Sequence, residues 1–253
     1  MQKLVLAFTV VLCSVAAGAV YAQNGIRDTS IAMVAISANY SYQFPSGDMA
    51  MRFGNNHNVG LSALRKMKSN YLLGVEGGFI FGNQVIENGL LSGLINSQGQ
   101  IVDAQGAMSD VLVLERGYAL FGVVGKIIPV AGPNPNSGIM LKLGGGYMRH
   151  KIRIQTQKNE VPQLENDYLE GYDRLAAGPA GMIFLGYQHF SNNRFVNFNA
   201  GFEVMLGFTE PLRAFNFDTR TSESGRRTDG LTGIRVGWTI PIYKRMDDRF
   251  HIN

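Results

Sequence analysis

Residues 32–44 alternate with a period of two. The even positions are Ala32, Val34, Ile36, Ala38, Tyr40, Tyr42 and Phe44; the odd ones are Met33, Ala35, Ser37, Asn39, Ser41 and Gln43. Residues 196–208 repeat the pattern. Val196, Phe198, Ala200, Phe202, Val204, Leu206 and Phe208 are set against Asn197, Asn199, Gly201, Glu203, Met205 and Gly207. A side-chain period of two is that of a β-strand, whose successive residues point to opposite faces. A chain built of such strands must hide its apolar face against a second layer or give it to lipid.

Six further segments extend the count to eight. Residues 58–67 carry Val59, Leu61 and Ala63 on one face. Residues 71–81 set Tyr71, Leu73, Val75, Phe79 and Phe81 against Gly74, Glu76 and Gly78. Residues 138–149 set Ile139, Leu141, Leu143 and Tyr147 against Lys142, Gly144 and Gly146. Residues 232–242 set Ile234, Val236, Trp238, Ile240 and Ile242 against Gly233, Arg235 and Gly237. Residues 116–127 and 180–190 are strand-like but apolar on both faces, so alternation does not orient them.

The character of the second face decides the class. A water-facing strand surface carries Lys, Glu, Thr and Gln; here the face is Gly and Asn with a few isolated charges. Small residues suit the crowded interior of an eight-stranded barrel, which leaves the Val, Leu, Ile, Phe and Tyr face to lipid. Composition agrees: 31 glycines and only 17% charged residues depart from a soluble surface, where about a quarter charged is usual. Beyond the first residues no apolar run approaches the 18 needed for a membrane helix, so membrane insertion requires a closed barrel. Connections alternate as well. Residues 68–70, 128–137 and 191–194 are short, whereas 45–57, 82–115, 150–179 and 209–231 are long. Short turns on one side and long loops on the other fit a barrel with periplasmic turns and termini. The 82–115 connection is too long for bare loop and should contain strand extensions or a short helix.

The start of the chain reads as a secretory signal. Lys3 precedes an apolar run from Leu4 to Ala17, and Val20-Tyr21-Ala22 is a small-x-small cleavage pattern. Cleavage after Ala22 would begin the mature chain at Gln23. Cys13, the one cysteine, falls inside the removed segment, which excludes disulfides and thiol chemistry from the mature protein. Without Lys3 there are 22 basic and 19 acidic residues, a net charge of +3 from the overall +4. That is too mild to argue for nucleic acid, and no nucleic-acid motif appears.

These features resemble the small outer-membrane barrels of Gram-negative bacteria, of the OmpA transmembrane domain and OmpX type. Gly237-Trp238 followed by Ile240, Ile242 and Tyr243 is similar to the C-terminal signal read by the barrel-assembly machinery, although ten residues follow Tyr243. The start at Gln23 and the loop "NSQGQIVDAQG" resemble Bacteroidota outer-membrane proteins. The expected fold is all-β, an eight-stranded antiparallel transmembrane up-and-down β-barrel with long extracellular loops. Expected boundaries are a signal peptide at 1–22, a short segment at 23–29, the barrel at 30–244 and a periplasmic tail at 245–253.

Candidate chemistry is sparse. His189-x-Ser191 resembles the catalytic pair of lipid A deacylases, in which imidazole activates a hydroxyl. Strand counting places it at the periplasmic rim, away from the outer leaflet, and Ser191-Asn192-Asn193-Arg194 suits a hairpin turn. Alternation points Glu76, Lys142, Glu203 and Arg235 inward, with Glu203 and Arg235 on neighbouring strands at similar height. In so narrow a barrel they read as a salt-bridge plug rather than an ion path. Tyr168, Tyr172, Asp173 and Arg174 in "DYLEGYDR", together with Arg213, Phe215, Phe217 and Arg220, form a candidate loop patch for a partner protein or lipopolysaccharide phosphates. Residues Arg226 and Arg227 extend its basic part. His57, His150, His189 and His251 are scattered, so no metal cluster is indicated. Gly144-Gly145-Gly146 sits in a strand and has no following helix to hold a phosphate. The expected role is non-enzymatic, without cofactors: a structural or accessory subunit of an outer-membrane assembly or secretion complex. The alternatives are a lipid A hydrolase using His189 and Ser191, or a narrow diffusion channel.

Overall fold

The computed structural model describes residues 29–87, 89–156, 161–192 and 195–243. The expected signal peptide, most of the 23–29 segment, Asn193, Arg194, His251 and the expected tail lie outside the described residues. Eight strands run in order: β1 (Met33–Gly47), β2 (Asn56–Lys66), β3 (Tyr71–Gly82), β4 (Val111–Ile128), β5 (Gly138–Thr156), β6 (Ala176–Phe190), β7 (Asn197–Pro211) and β8 (Arg227–Tyr243). Each pairs antiparallel with the next, and β8 returns to β1, closing an up-and-down barrel. Closure leaves no unpaired sheet edge.

Every strand lies where alternation places it, but several continue further at the long-loop end. β4 starts at Val111 rather than 116, β5 runs on to Thr156, and β8 starts at Arg227. There the strands rise beyond the apolar belt, so neither face is selected for hydrophobicity and the period-two signal fades. The 83–110 connection contains a 3₁₀ turn at Ser92–Leu94 and two isolated bridges, Ile95↔Ile101 and Val102↔Met108.

Outward faces are the apolar ones. Val59, Leu61, Val75, Phe79, Leu120, Ile183, Phe202 and Val236 are exposed. On β4 the outward charges Arg116 and Lys126 bracket Tyr118, Leu120, Gly122 and Val124. Ten residues at about 3.3 Å each, tilted by roughly 40°, give a band about 25 Å tall, the height of the lipid-facing belt of a membrane barrel.

The two strands that alternation could not orient are resolved by what lies behind them. β4 and β6 turn Ala119, Phe121, Val123 and Ile127, and Ala180, Met182, Phe184 and Phe190, into the lumen, where all are buried. The opposite wall carries Ser37, Asn39, Ser41, Gln43, Asn199 and Thr239, also buried. The lumen is thus half apolar and half polar, and only the polar half gives one-sided alternation in sequence.

The short-turn end is closed by the segment before β1. Lys66 is fully buried and donates to Ser30 Oγ at 3.0 Å, Ile31 O at 3.1 Å and Asn136 Oδ1 at 2.8 Å. Asn136 Nδ2 in turn holds Thr29 O at 3.1 Å. Asn70 takes a left-handed conformation (φ 64°) that ends the β2–β3 turn, one an Asn tolerates because its short polar side chain can bond locally. Its side chain bonds Pro135 O at 3.1 Å, tying two turns together.

Candidate functional site

The four inward charges meet near the middle of the lumen. Arg235 on β8 donates to Glu203 on β7 at 2.6 Å and also to Glu76 on β3. Lys142 on β5 reaches the other Glu76 oxygen at 2.7 Å. The register explains the reach, because Gly201 pairs with Arg235 and Gly233 with Glu203, a diagonal placement on adjacent strands. Glu203 is further held by Ser41 Oγ and Gln43 Nε2, both at 3.1 Å. Lys142 Nζ and the Arg235 guanidinium lie 4.6 and 5.3 Å from the Phe184 ring centroid, so the apolar half of the lumen also meets the cations. Two acids and two bases offset one another, so the lumen holds no net charge from this cluster, and each buried group has a partner of opposite sign.

A second polar layer lies above. His150 Nε2 and Asp229 Oδ2 are 2.8 Å apart, both side chains fully buried, and Thr209 Oγ1 donates to the same carboxylate oxygen. Phe53 from the first long loop packs edge-on against the His150 ring with centroids 5.7 Å apart. Asn56 Nδ2 bonds both oxygens of Glu115 at 3.0 and 3.1 Å. Carrying the alternation of β5 and β8 a few residues further would have placed His150 and Asp229 inside.

Over this sits a cap made by all four long loops. Arg52 (first loop) binds Glu87 (second) at 3.1 Å and Glu223 (fourth). Arg174 (third loop) binds Glu87 at 3.2 Å and Asp218 in the fourth. Arg227 reaches Glu223 at 3.1 Å and Asp48 O at 3.0 Å. Glu87 and Glu223 therefore each bridge two arginines. Burial alone would raise the Glu223 carboxyl, but Arg52 and the hydrogen bonds it receives hold it below the usual range. Arg174 has φ 47°, a strained conformation for a side chain of this size that two carboxylates from different loops hold in place. Met49, Phe53, Leu90, Val161 and Leu164 are buried beneath, continuous with the lumen core.

The expected loop patch is divided by this cap. Tyr172, Asp173 and Arg174 are 8%, 3% and 4% exposed, which corrects their reading as open surface: they are used up in holding loops together. Asp173 receives Arg213 at 2.9 and 2.7 Å and Lys151 at 3.3 Å. Arg213 also meets Glu170 at 2.7 Å, and its hydrogen bonds to Asp173 raise its pKa despite partial burial. The aromatic members stay open, Tyr168, Phe215 and Phe217 at 62%, 43% and 39%. Phe217 contacts Tyr168 and Phe215 with ring centroids 6.3 and 6.1 Å apart. Arg220 is exposed with φ 54°. The sequence offers no period by which Arg52, Glu87, Asp218 and Glu223 could have been found, because loop residues meet only through the tertiary fold.

His189 lies at the short-turn end, its ring stacked on outward Phe198 at 5.0 Å. Ser191 N donates to Asn197 Oδ1 at 3.1 Å across the β6–β7 turn. Among the described residues no carboxylate bonds His189, and no group of three His, Cys, Asp or Glu could hold a metal.

No family model and no curated protein matches the chain. Among solved structures it is similar to neisserial surface protein A, at 9% identity and TM-score 0.42, over 81% of this chain and 96% of that one. It is similar to Ail, the attachment invasion locus protein of Yersinia pestis, at 11% identity and TM-score 0.38, over 83% and 99%. It is also similar to the outer membrane protein OprG from Pseudomonas aeruginosa, at 9% identity and TM-score 0.34, over 85% and 99%.

Proposed function

We propose that the protein is a non-enzymatic outer-membrane barrel, a structural or accessory subunit that presents a pre-organised loop cap to a partner protein. The observation that carries this reading is the cap itself: ion pairs join all four long loops, and Tyr168, Phe215 and Phe217 remain exposed on that frame. Aromatic anchors on a surface already ordered bind with little further loss of entropy. The apolar belt supports membrane insertion, and the secretory signal expected at residues 1–22, with the long loops expected to face outward, supports the outer membrane. The filled lumen supports a barrel that does not conduct, since eight strands leave room only for side chains.

Two measurements test this. Purified protein in planar bilayers should give no conductance steps; steady single-channel currents would contradict a sealed lumen. Tagged protein taken from gently solubilised membranes should retain a protein partner that Tyr168→Ala with Phe215→Ala releases. Retention unchanged in that double variant would remove the aromatic surface from the argument.

A further inference from the structure

The outward wall of β4 and β5 carries a second feature that the cap does not use. Arg116, Arg149, Lys151 and Arg153 all point outward, immediately above the apolar belt on the long-loop side. The register sets Arg116 opposite Lys151, and Arg149 and Arg153 opposite Tyr118 and Leu114 on either side. Like charges directly opposite on paired strands repel. The Arg116 guanidinium bonds only backbone oxygens, those of Glu115 at 2.6 Å and Gly82 at 3.4 Å. Lys151 shares Asp173 with Arg213. Among the described residues no carboxylate pairs with Arg116, Arg149 or Arg153. Among the described residues, then, Arg149 and Arg153 have no carboxylate partner, Arg116 has only the neighbouring Glu115 without an ion pair to it, and Lys151 is half-compensated, all at the level of the lipid headgroups.

Directly below, the same wall is indented. Gly122, Gly145 and Gly181 face outward on β4, β5 and β6 and are register partners, so three neighbouring strands lack side chains at one height. Packing does not require them. A Cβ at Gly145 would meet nothing within 4 Å, and at Gly122 or Gly181 its nearest neighbour would be 3.8 Å away. By contrast, a Cβ on inward Gly146 or Gly178 would strike backbone at 1.9 or 2.0 Å. Six residues separate Gly122 from Arg116, roughly 20 Å along the strand and about 15 Å in depth, the thickness of one leaflet's hydrocarbon.

We infer that the β4–β6 wall binds an anionic lipid of the outer leaflet, its phosphate held by Arg116, Arg149, Lys151 and Arg153 and an acyl chain lying over Gly122, Gly145 and Gly181. The inference rests on the membrane-barrel reading and assigns the lipid contact to the wall rather than to the loop patch. Charge complementarity selects the occupant: a second copy would bring the same four cations, and a neutral lipid would leave them unpaired.

The single tryptophan makes the test direct. Trp238 on β8 samples lipid on the opposite wall, and a Trp238→Phe/Leu120→Trp protein moves the reporter to the proposed site. Both are reconstituted in phosphatidylcholine vesicles containing brominated phosphatidic acid or brominated phosphatidylcholine, and quenching is compared. The Leu120→Trp reporter should favour the anionic lipid about fivefold or more over Trp238, with the preference falling at high salt and vanishing in Arg149→Gln/Arg153→Gln. Equal quenching at both walls, or a preference that survives loss of the two arginines, overturns the site. A Leu120→Trp reporter shielded from both lipids in a dimeric species would mean that a second copy covers the wall, and also overturns it. Failure of the membrane reading is separate, and would show as no quenching by either lipid at either reporter.

Discussion

Two charge networks in this barrel have similar membership but different construction. In the lumen, Glu76, Glu203, Lys142 and Arg235 come from four strands whose heights are fixed by the hydrogen-bond ladder. In the cap, Arg52, Glu87, Arg174, Asp218, Glu223 and Arg227 come from all four long loops and the start of β8. Both are electrically balanced. In the lumen the sheet positions the charges, so the ion pairs exploit a geometry that exists without them. In the cap the ion pairs themselves create the geometry, and losing one should release the loops.

The largest effect should come from the lumen. Arg235→Gln strips both Glu76 and Glu203 of their shared partner and should cost about 3–5 kcal/mol in urea unfolding from lipid vesicles. Combined with Glu203→Gln, the loss should fall short of the sum by about 0.5–3 kcal/mol. Strict additivity would show that the two side chains do not meet. Lys142→Gln should cost less than Arg235→Gln, because Glu76 keeps its arginine.

A smaller and more local effect should follow in the cap. Arg174→Gln frees the third loop from Glu87 and Asp218, so protease should cut residues 161–175 and 212–226 roughly tenfold faster while barrel unfolding changes by less than about 0.5 kcal/mol. A matching loss of barrel stability would mean that cap and lumen unfold as one unit, erasing the contrast.

The smallest effect is a pH dependence confined to the cap. Glu223 is held below the ordinary glutamate value of 4.5 in the folded state. Its contribution is therefore complete above that value and is lost as pH falls below it through the folded pKa. Protease sensitivity of the fourth loop should rise as pH drops below about 4.5 and should lose this dependence in Glu223→Gln. A change centred near neutral pH would point to another group.

The same contrast explains what could be read in advance. Strand positions, their up-and-down order and the inward placement of Glu76, Lys142, Glu203 and Arg235 all follow from a two-residue period. Lipid on one side and a narrow lumen on the other impose opposite demands on alternate residues. The signal failed where those demands coincide: β4 and β6 back onto Phe121, Met182 and Phe184, and both faces are apolar. It failed again above the belt, where His150 and Asp229 pair on strand extensions that no lipid selects.

In this protein, then, sequence alone determined the barrel and its lipid-facing surface, because local periodicity and the membrane act on each residue independently of its distant partners. Only the tertiary structure decided that Tyr172, Asp173 and Arg174 are buried, that four loops are joined through Glu87 and Glu223, and that Arg116, Arg149, Lys151 and Arg153 share one wall. Those arrangements depend on strand register and loop path, which bring together residues far apart in the chain.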